Sequence, residues 1–140
     1  MNLLLDTCVV SELIKGRPEP AVVAFIRAQP EERLYLSVLT LGEIEKGISR
    51  LADEGRKQKL RQWLELDLQR RFEGRFLDVT PAVASRWGRI QGEAERGGRR
   101  MPVIDGLLAA TALQHGCAVA TRNFADLAAS GVEIVNPWAA

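Results

Sequence analysis

Histidine and cysteine are scarce in this chain of 140 residues, which has one histidine and two cysteines. Cys8 and Cys117 are too few for a disulfide framework, and no Cys-x-x-Cys pair or Cys/His cluster favours zinc. A Ser-His-Asp or Cys-His hydrolase is disfavoured too, because the only imidazole, His115, falls where an apolar helix should end. Two separate thiols are simplest to explain in a reducing cytosol, so we expect a cytoplasmic protein.

Long apolar runs and a strong excess of charge are also missing. No run reaches the roughly 18 residues that a membrane-spanning helix needs, and the N-terminus lacks the features of a signal peptide. The net charge of +1 leaves the partner open, unlike the basic excess of a non-specific nucleic-acid binder. Because 46% of the residues are hydrophobic, we predict one domain spanning residues 1–140, with no membrane association.

Short apolar runs alternate along the chain with stretches of helical periodicity. This alternation predicts an α/β protein in which a parallel sheet of short strands carries helices on both faces. Ligand sites in such folds gather at the carboxyl ends of the strands. We expect strands at 2–5, 34–37, 76–79, 117–120 and 132–135, and helices at 9–15, 19–29, 38–51, 55–73, 81–96 and 103–114.

Four acidic residues stand at informative places in this pattern. Asp6 closes the first strand, Glu43 lies within a helix, Asp105 opens the buried helix at 103–114, and Asp126 follows the fourth strand. Taken singly, each has a simple structural explanation: a helix cap for Asp6, an exposed helix acid for Glu43, a helix-dipole contact for Asp105 and a surface turn for Asp126. Grouped, they would require neutralisation, and a hard cation such as Mg²⁺ is suited to that role.

Four ordered motifs carry a resemblance to a known family: LLLDTCVVSEL, LYLSVLTLGEIEKGI, VIDGLLAATALQHGCAVATRN and VEIVNPW. Across nearly its whole length the chain resembles the PIN-domain ribonucleases, and more narrowly the VapC and FitB toxins of bacterial type II toxin–antitoxin pairs. The resemblance implies a PIN-like α/β/α sandwich and an endoribonuclease that depends on Mg²⁺, with Mn²⁺ as a substitute. It also implies a homodimer, a cognate antitoxin protein and a toxin–antitoxin hetero-oligomer.

The resemblance also assigns the acidic pocket. Asp6 and Asp105 are the strongest metal-ligand candidates, with Glu43 and Asp126 as further candidates. The fourth acid is open, since some relatives place an acid where Asn123 stands and others use the Asp126 position. The implied catalytic set is Asp6, Glu43, Asp105 and Asp126, supported by the polar residues Thr7, Ser11, Thr121 and Asn123.

One residue departs from the family pattern, because Cys8 stands where relatives commonly have an asparagine after the Asp-Thr pair. We interpret Cys8 as a buried structural thiol rather than a nucleophile. Its position also disfavours an aspartyl-phosphate enzyme, which needs a second Asp there.

Three arginines lie close to two of the acids in sequence. Arg99, Arg100 and Arg122 flank Asp105 and Asp126 in sequence, so we expect them to position RNA phosphates.

The alternative function is a non-catalytic module in which the same fold holds RNA or a protein partner. In that case the acids would serve structure alone.

Overall fold

The computed structural model describes residues 1–139, and five short strands lie at its centre. The strands are β1 Leu3–Leu5, β2 Leu34–Ser37, β3 Phe76–Leu77, β4 Ala118–Ala120 and β5 Ile134–Val135. They form one parallel sheet in the order β3-β2-β1-β4-β5. Strands β2 and β3 therefore lie on one side of β1, and β4 and β5 lie on the other. The direction in which strands are added reverses between β1 and β4, so the side chains that follow these two strands meet there.

Helices occupy every connection between the strands, and the last connection holds only a four-residue helix and a short 3₁₀ turn. Within residues 1–139, none of them has the length and apolar character needed to cross a membrane. The helices are α1 Thr7–Leu13, α2 Pro20–Arg27, α3 Val38–Ser49, α4 Glu54–Gln62, α5 Gln69–Arg71, α6 Pro81–Arg96, α7 Val103–His115 and α8 Phe124–Leu127.

Two hydrophobic clusters cover the two faces of the sheet. Leu3 and Leu5 of β1 point into a cluster formed with α1, α2 and α3, whereas Leu4 points into a second cluster formed with α7. Alternate residues of a strand face opposite sides, so this division follows from the strand geometry. The prediction of a parallel α/β sheet with helices on both faces is confirmed.

The structure differs from the sequence prediction in one long helix. Residues 55–73 were expected to form a regular helix, but Trp63–Leu68 is a π-helical segment between α4 and α5. Leu64 and Leu68 are buried, while Leu66 is 49% exposed. Hydrophobic periodicity cannot separate this wider turn from an α-helical one, because both keep residues four apart on similar faces. The two edge strands are also shorter than predicted, since each pairs on one side only.

The central strand should dominate stability. Leu4 is 0% exposed, so we expect Leu4→Ala to lower the free energy of unfolding by about 2–5 kcal/mol, because a cavity adds to the lost burial. Urea unfolding followed by circular dichroism measures the change. Leu66→Ala is the matched control and should shift the value by less than about 0.5 kcal/mol. Equal effects of the two substitutions would contradict this assignment of the core.

Candidate active site

Asp6 is the structural anchor of the acidic site. It follows β1, caps α1 and is only 5% exposed. One carboxylate oxygen, Oδ1, accepts the backbone N–H of Thr7 at 2.7 Å, and the other, Oδ2, accepts the hydroxyl of Thr121 at 2.7 Å. Thr121 follows β4 and is itself 0% exposed. Asp6 therefore caps α1 and also belongs to the acidic site.

Cys8 differs from its sequence-based interpretation. It is partly buried instead of fully buried, and its Sγ donates to Oδ2 of Asp6 at 3.5 Å and lies 3.6 Å from the hydroxyl of Thr121. Burial raises the pKa of the thiol, and the negative charge of Asp6 raises it further. A neutral thiol can donate but is a poor nucleophile, so Cys8 supports Asp6. Cys8 is therefore less buried than expected, but its contact with Asp6 agrees with its interpretation as a structural thiol rather than a nucleophile.

Glu43 is brought to the site by a hydroxyl that follows β1. Thr7 donates its hydroxyl to Oε1 of Glu43 at 2.6 Å, and its oxygen lies 3.3 Å from the hydroxyl oxygen of Thr40. Thr40 was not predicted to belong to the site. It lies one helical turn before Glu43, and residues so spaced share a helix face, so its position indicated that it could. Glu45 faces elsewhere and binds Arg61 at 2.6 Å. Of the two glutamates, only Glu43 therefore contacts the residues around Asp6.

Asp105 shows most clearly that the acids converge. It lies in the first turn of α7, as predicted, and its pKa is raised from an ordinary value of 3.8 to about 6. Burial contributes most to this rise, followed by the negative charges of Asp6, Asp126 and Glu43. All four acids predicted from the sequence are thus near enough to interact electrostatically.

The start of α7 is fixed by close packing against α6. A Cβ atom at Gly106 would lie 3.0 Å from the Trp87 ring and 3.1 Å from Oε1 of Gln91, so glycine allows the two helices to approach. Gln91 also donates its side-chain amide to the carbonyl of Met101 at 3.1 Å. These contacts set the position of Asp105, the residue beside Gly106.

The remaining predicted residues occupy the margin of the site. Asp126 is exposed on α8, and its charge reaches Asp105. Asn123 is exposed as well, and its backbone N–H donates to the hydroxyl of Thr121 at 2.9 Å. Ser11 lines a small cavity with Thr7 and Glu43. In residues 1–139, the Ser11 hydroxyl has no hydrogen-bond partner among protein atoms.

The predicted phosphate-binding arginines lie in different surroundings. The Arg122 guanidinium lies over the Trp138 ring, 4.6 Å from its centre, and its charge helps to lower the pKa of Glu12 after the stronger effect of Lys15. Arg99 and Arg100 are exposed before α7. Arg100 lines a cavity that shares no residue with the one beside Glu43.

The donor set fits a hard divalent cation. All four acids offer oxygen ligands, and the pKa of Asp105 is raised by burial and by the charges of the other three acids, both of which a bound cation would offset. No group of three His, Cys, Asp or Glu side chains within residues 1–139 is already arranged as a metal-ion cluster. Because Mg²⁺ takes only one or two carboxylates directly and keeps several waters, this looser arrangement still matches its chemistry.

The fold and site together define a parallel α/β protein with an acidic centre of the kind that binds metal ions to act on phosphates. Residues 3–129 match the model of the PIN domain, and the chain belongs to that family. Ribonucleases of this family are in general metal-dependent.

Named relatives match along almost the whole chain. A VapC ribonuclease of Sinorhizobium fredii, Y4jK, is 36% identical over 97% of this chain and 97% of its own. The toxin FitB of Neisseria gonorrhoeae is 36% identical over 97% of this chain and 98% of its own. The crystal structure of FitAcB from N. gonorrhoeae superposes with a TM-score of 0.93 and 36% identity, over 97% of this chain and 98% of that one.

The raised pKa of Asp105 predicts how stability changes with pH in metal-free protein. Between about pH 4 and pH 6 Asp105 binds more protons in the folded protein than in the unfolded chain, so its contribution to stability falls as the pH rises through this window. Asp105→Asn removes the penalty and should stabilise the protein in EDTA above about pH 6, by about 1 kcal/mol after discounting for solvent screening.

Urea unfolding across this pH range measures the difference. The stabilisation should shrink as the pH falls and disappear below about pH 3, where Asp105 is largely protonated in both the folded and the unfolded protein. Asp78→Asn removes an exposed carboxylate that is not among the charges acting on Asp105, and it serves as the control. A constant difference between Asp105→Asn and the parent at every pH would contradict the electrostatic explanation.

Proposed function

We propose that the protein is a Mg²⁺-dependent endoribonuclease and the toxin of a type II toxin–antitoxin pair. The observation that carries the proposal is the rise in the pKa of Asp105 caused in part by three other carboxylates. Such a cluster destabilises the metal-free protein and is explained by binding a cation. Relatives of matching length that are named as a VapC ribonuclease and a toxin support the reaction class and the biological role.

Asp6 and Asp105 are the proposed direct ligands, for different reasons. The three donors on Asp6 hold its carboxylate in one orientation, two of them on Oδ2 and one on Oδ1, which leaves a lone pair of Oδ1 free for a cation. Asp105 accepts no hydrogen bond to its side chain from residues 1–139, so its carboxylate is fully available. Glu43 and Asp126 would hold metal-bound waters. Mn²⁺ has similar ligand preferences and should substitute.

The chemistry of the site requires both a nucleophile and charge stabilisation. When bound, the ion would activate a water and offset the negative charge on the phosphate oxygens during phosphodiester hydrolysis. The Thr121 hydroxyl keeps Asp6 oriented, and the Thr7 hydroxyl does the same for Glu43. The Cys8 thiol takes a donor role at Asp6, where a carboxamide is common in the family.

Asp126 is our choice for the fourth acid. Its charge contributes to the raised pKa of Asp105, and it is exposed at the margin where a substrate would arrive. Asn123 offers an amide oxygen from the same turn but no charge, so it would help to neutralise a cation less.

Partners follow from the proposed role as a toxin. We propose that a cognate antitoxin protein covers the acidic site and that the toxin forms a homodimer within a hetero-oligomer. The proposed RNA substrate places its action in the cytoplasm. The likeness to a relative named as a toxin, over 97% of the chain, supports this part of the proposal.

Cleavage of RNA tests the proposal directly. Glu43→Gln should lower the cleavage rate by about 10- to 100-fold because it weakens the metal environment. Glu45→Gln is a matched control on the same helix and should retain activity, since Glu45 contacts Arg61 instead. The assay follows labelled RNA with Mg²⁺, with Mn²⁺ and with EDTA, which should abolish cleavage.

Asp105→Asn excludes a contaminating nuclease and should be inactive. RNA binding without cleavage under every metal condition would reject the enzyme and favour the non-catalytic binding module. Equal activity of the Glu43 and Glu45 variants would instead show that the site has been assigned to the wrong face of α3.

Metal should also stabilise the folded protein, because an ion that binds only the folded state shifts unfolding by mass action. At a concentration 100 times the dissociation constant, the gain is about 2.7 kcal/mol. Thermal melts should therefore move upward with Mg²⁺, and the shift should be lost in Asp6→Asn and Asp105→Asn. Asp78→Asn should keep it, and superimposable parent melts with and without metal would refute binding at these acids.

A further inference from the structure

A groove of about 570 Å³ runs along α3 beside the acidic site and has no role in the chemistry described so far. It shares Thr7 and Glu43 with that site, and Ile104, next to Asp105, closes its far side. We call this cavity the α3 groove. Its volume lies in the range of small-molecule and cofactor sites, about 300–1,000 Å³, a size class that includes a nucleotide.

Two cations line the α3 groove. Lys46 and Arg50 follow Glu43 by three and seven residues, so the helical repeat places all three on one face of α3. Both are exposed, and neither lies within 4.0 Å of a carboxylate in residues 1–139. By contrast, Arg61 and Arg71 are held in ion pairs with Glu45 and Glu31. The groove therefore holds two positive charges that are free to bind an anion.

Two glycines on the surface of the α3 groove leave room for a ligand to approach the helix. Gly42 and Gly47 lie within α3, where glycine lowers helix stability relative to alanine. A Cβ atom at either position would meet no described atom within 4 Å, so packing inside the chain does not explain these glycines. Because these two residues have no side chains, a ligand could come close to the backbone of α3 at this face. Val38 and Leu39 add an apolar surface beside them.

We propose that the α3 groove binds the single RNA strand that enters the acidic site, with Lys46 and Arg50 on its phosphates. The inference rests on the proposed ribonuclease function. A phosphate held among four carboxylates is attached to neighbouring phosphates that the same carboxylates repel, so cations are needed next to Glu43. The α3 groove supplies two such cations, whereas Arg122 packs on Trp138 and Arg100 lines a separate cavity. The apolar surface accommodates a ribose or base.

Binding can be measured apart from cleavage in the Asp105→Asn protein. The probe is a fluorescein-labelled single-stranded RNA of mixed sequence, followed by anisotropy as salt increases. Lys46→Gln/Arg50→Gln should weaken binding and reduce the slope of log affinity against log salt by about 1.4, or about 0.7 for each lost phosphate contact. Arg56→Gln/Lys59→Gln removes equal charge from exposed positions of α4 and should leave the slope unchanged.

Steady-state kinetics of the parent active site give a second readout. The groove substitutions should raise KM and preserve kcat, because contacts remote from the reacting phosphorus bind substrate and transition state alike. Circular dichroism and thermal melts confirm that both double variants fold like the parent.

Several outcomes would overturn the groove proposal. An unchanged salt slope, an equal loss in the α4 control, or no RNA binding by Asp105→Asn would each reject it. Unchanged RNA binding together with weaker binding of the cognate antitoxin would make the groove a protein-docking surface instead. These results are separable from the proposed function: metal-dependent cleavage that ignores Lys46 and Arg50 rejects only the groove, and groove-dependent binding without cleavage rejects only the enzyme.

Discussion

The acidic site depends on the buried hydrogen bond from Thr121 to Asp6, which joins the ends of β4 and β1 at the point where the order of strands reverses. A buried carboxylate is costly unless donors satisfy it, and Asp6 has three: the Thr7 backbone, the Thr121 hydroxyl and the Cys8 thiol. The backbone adds a fourth link, because the N–H of Asp6 donates to the carbonyl of Ala120 at 3.0 Å. This network holds one acid in place, and α3, α7 and α8 bring the other three acids toward it.

The acids consequently differ in their surroundings. Asp6 and Glu43 accept hydrogen bonds from neighbouring hydroxyls, whereas Asp105 accepts none from the described chain and has a pKa raised to about 6. Burial and the charges of the other three acids both act on Asp105, at the first turn of a helix fixed by the contact of Gly106 with Trp87. Natural proteins commonly accept such local destabilisation at functional sites, because it is offset when the proper ligand binds.

Much of this arrangement could be predicted from the sequence. The apolar runs predicted all five strands, and the helical periodicity predicted α7 with Asp105 in its first turn. Hydrophobic patterns do not report which polar side chains meet, so Thr121, which is 115 positions from Asp6, entered the predicted pocket only through the family resemblance. For the same reason, the contact of Cys8 with Asp6 was not predicted. Sequence neighbours also did not predict that Arg122, which follows Thr121 directly, packs on Trp138.

The geometry of α3 explains why position alone could not choose Glu43. The helix has three different faces within one stretch of sequence: Ile44 and Ile48 enter the core, Glu45 pairs with Arg61, and Glu43 faces Thr7. Two glutamates separated by a single residue lie about 200° apart around a helix with 3.6 residues per turn. Either could have been the functional acid until the neighbouring element was known. Since α1 begins at Thr7, immediately after Asp6, the hydroxyl that selects Glu43 belongs to the same short segment that supplies the anchoring acid.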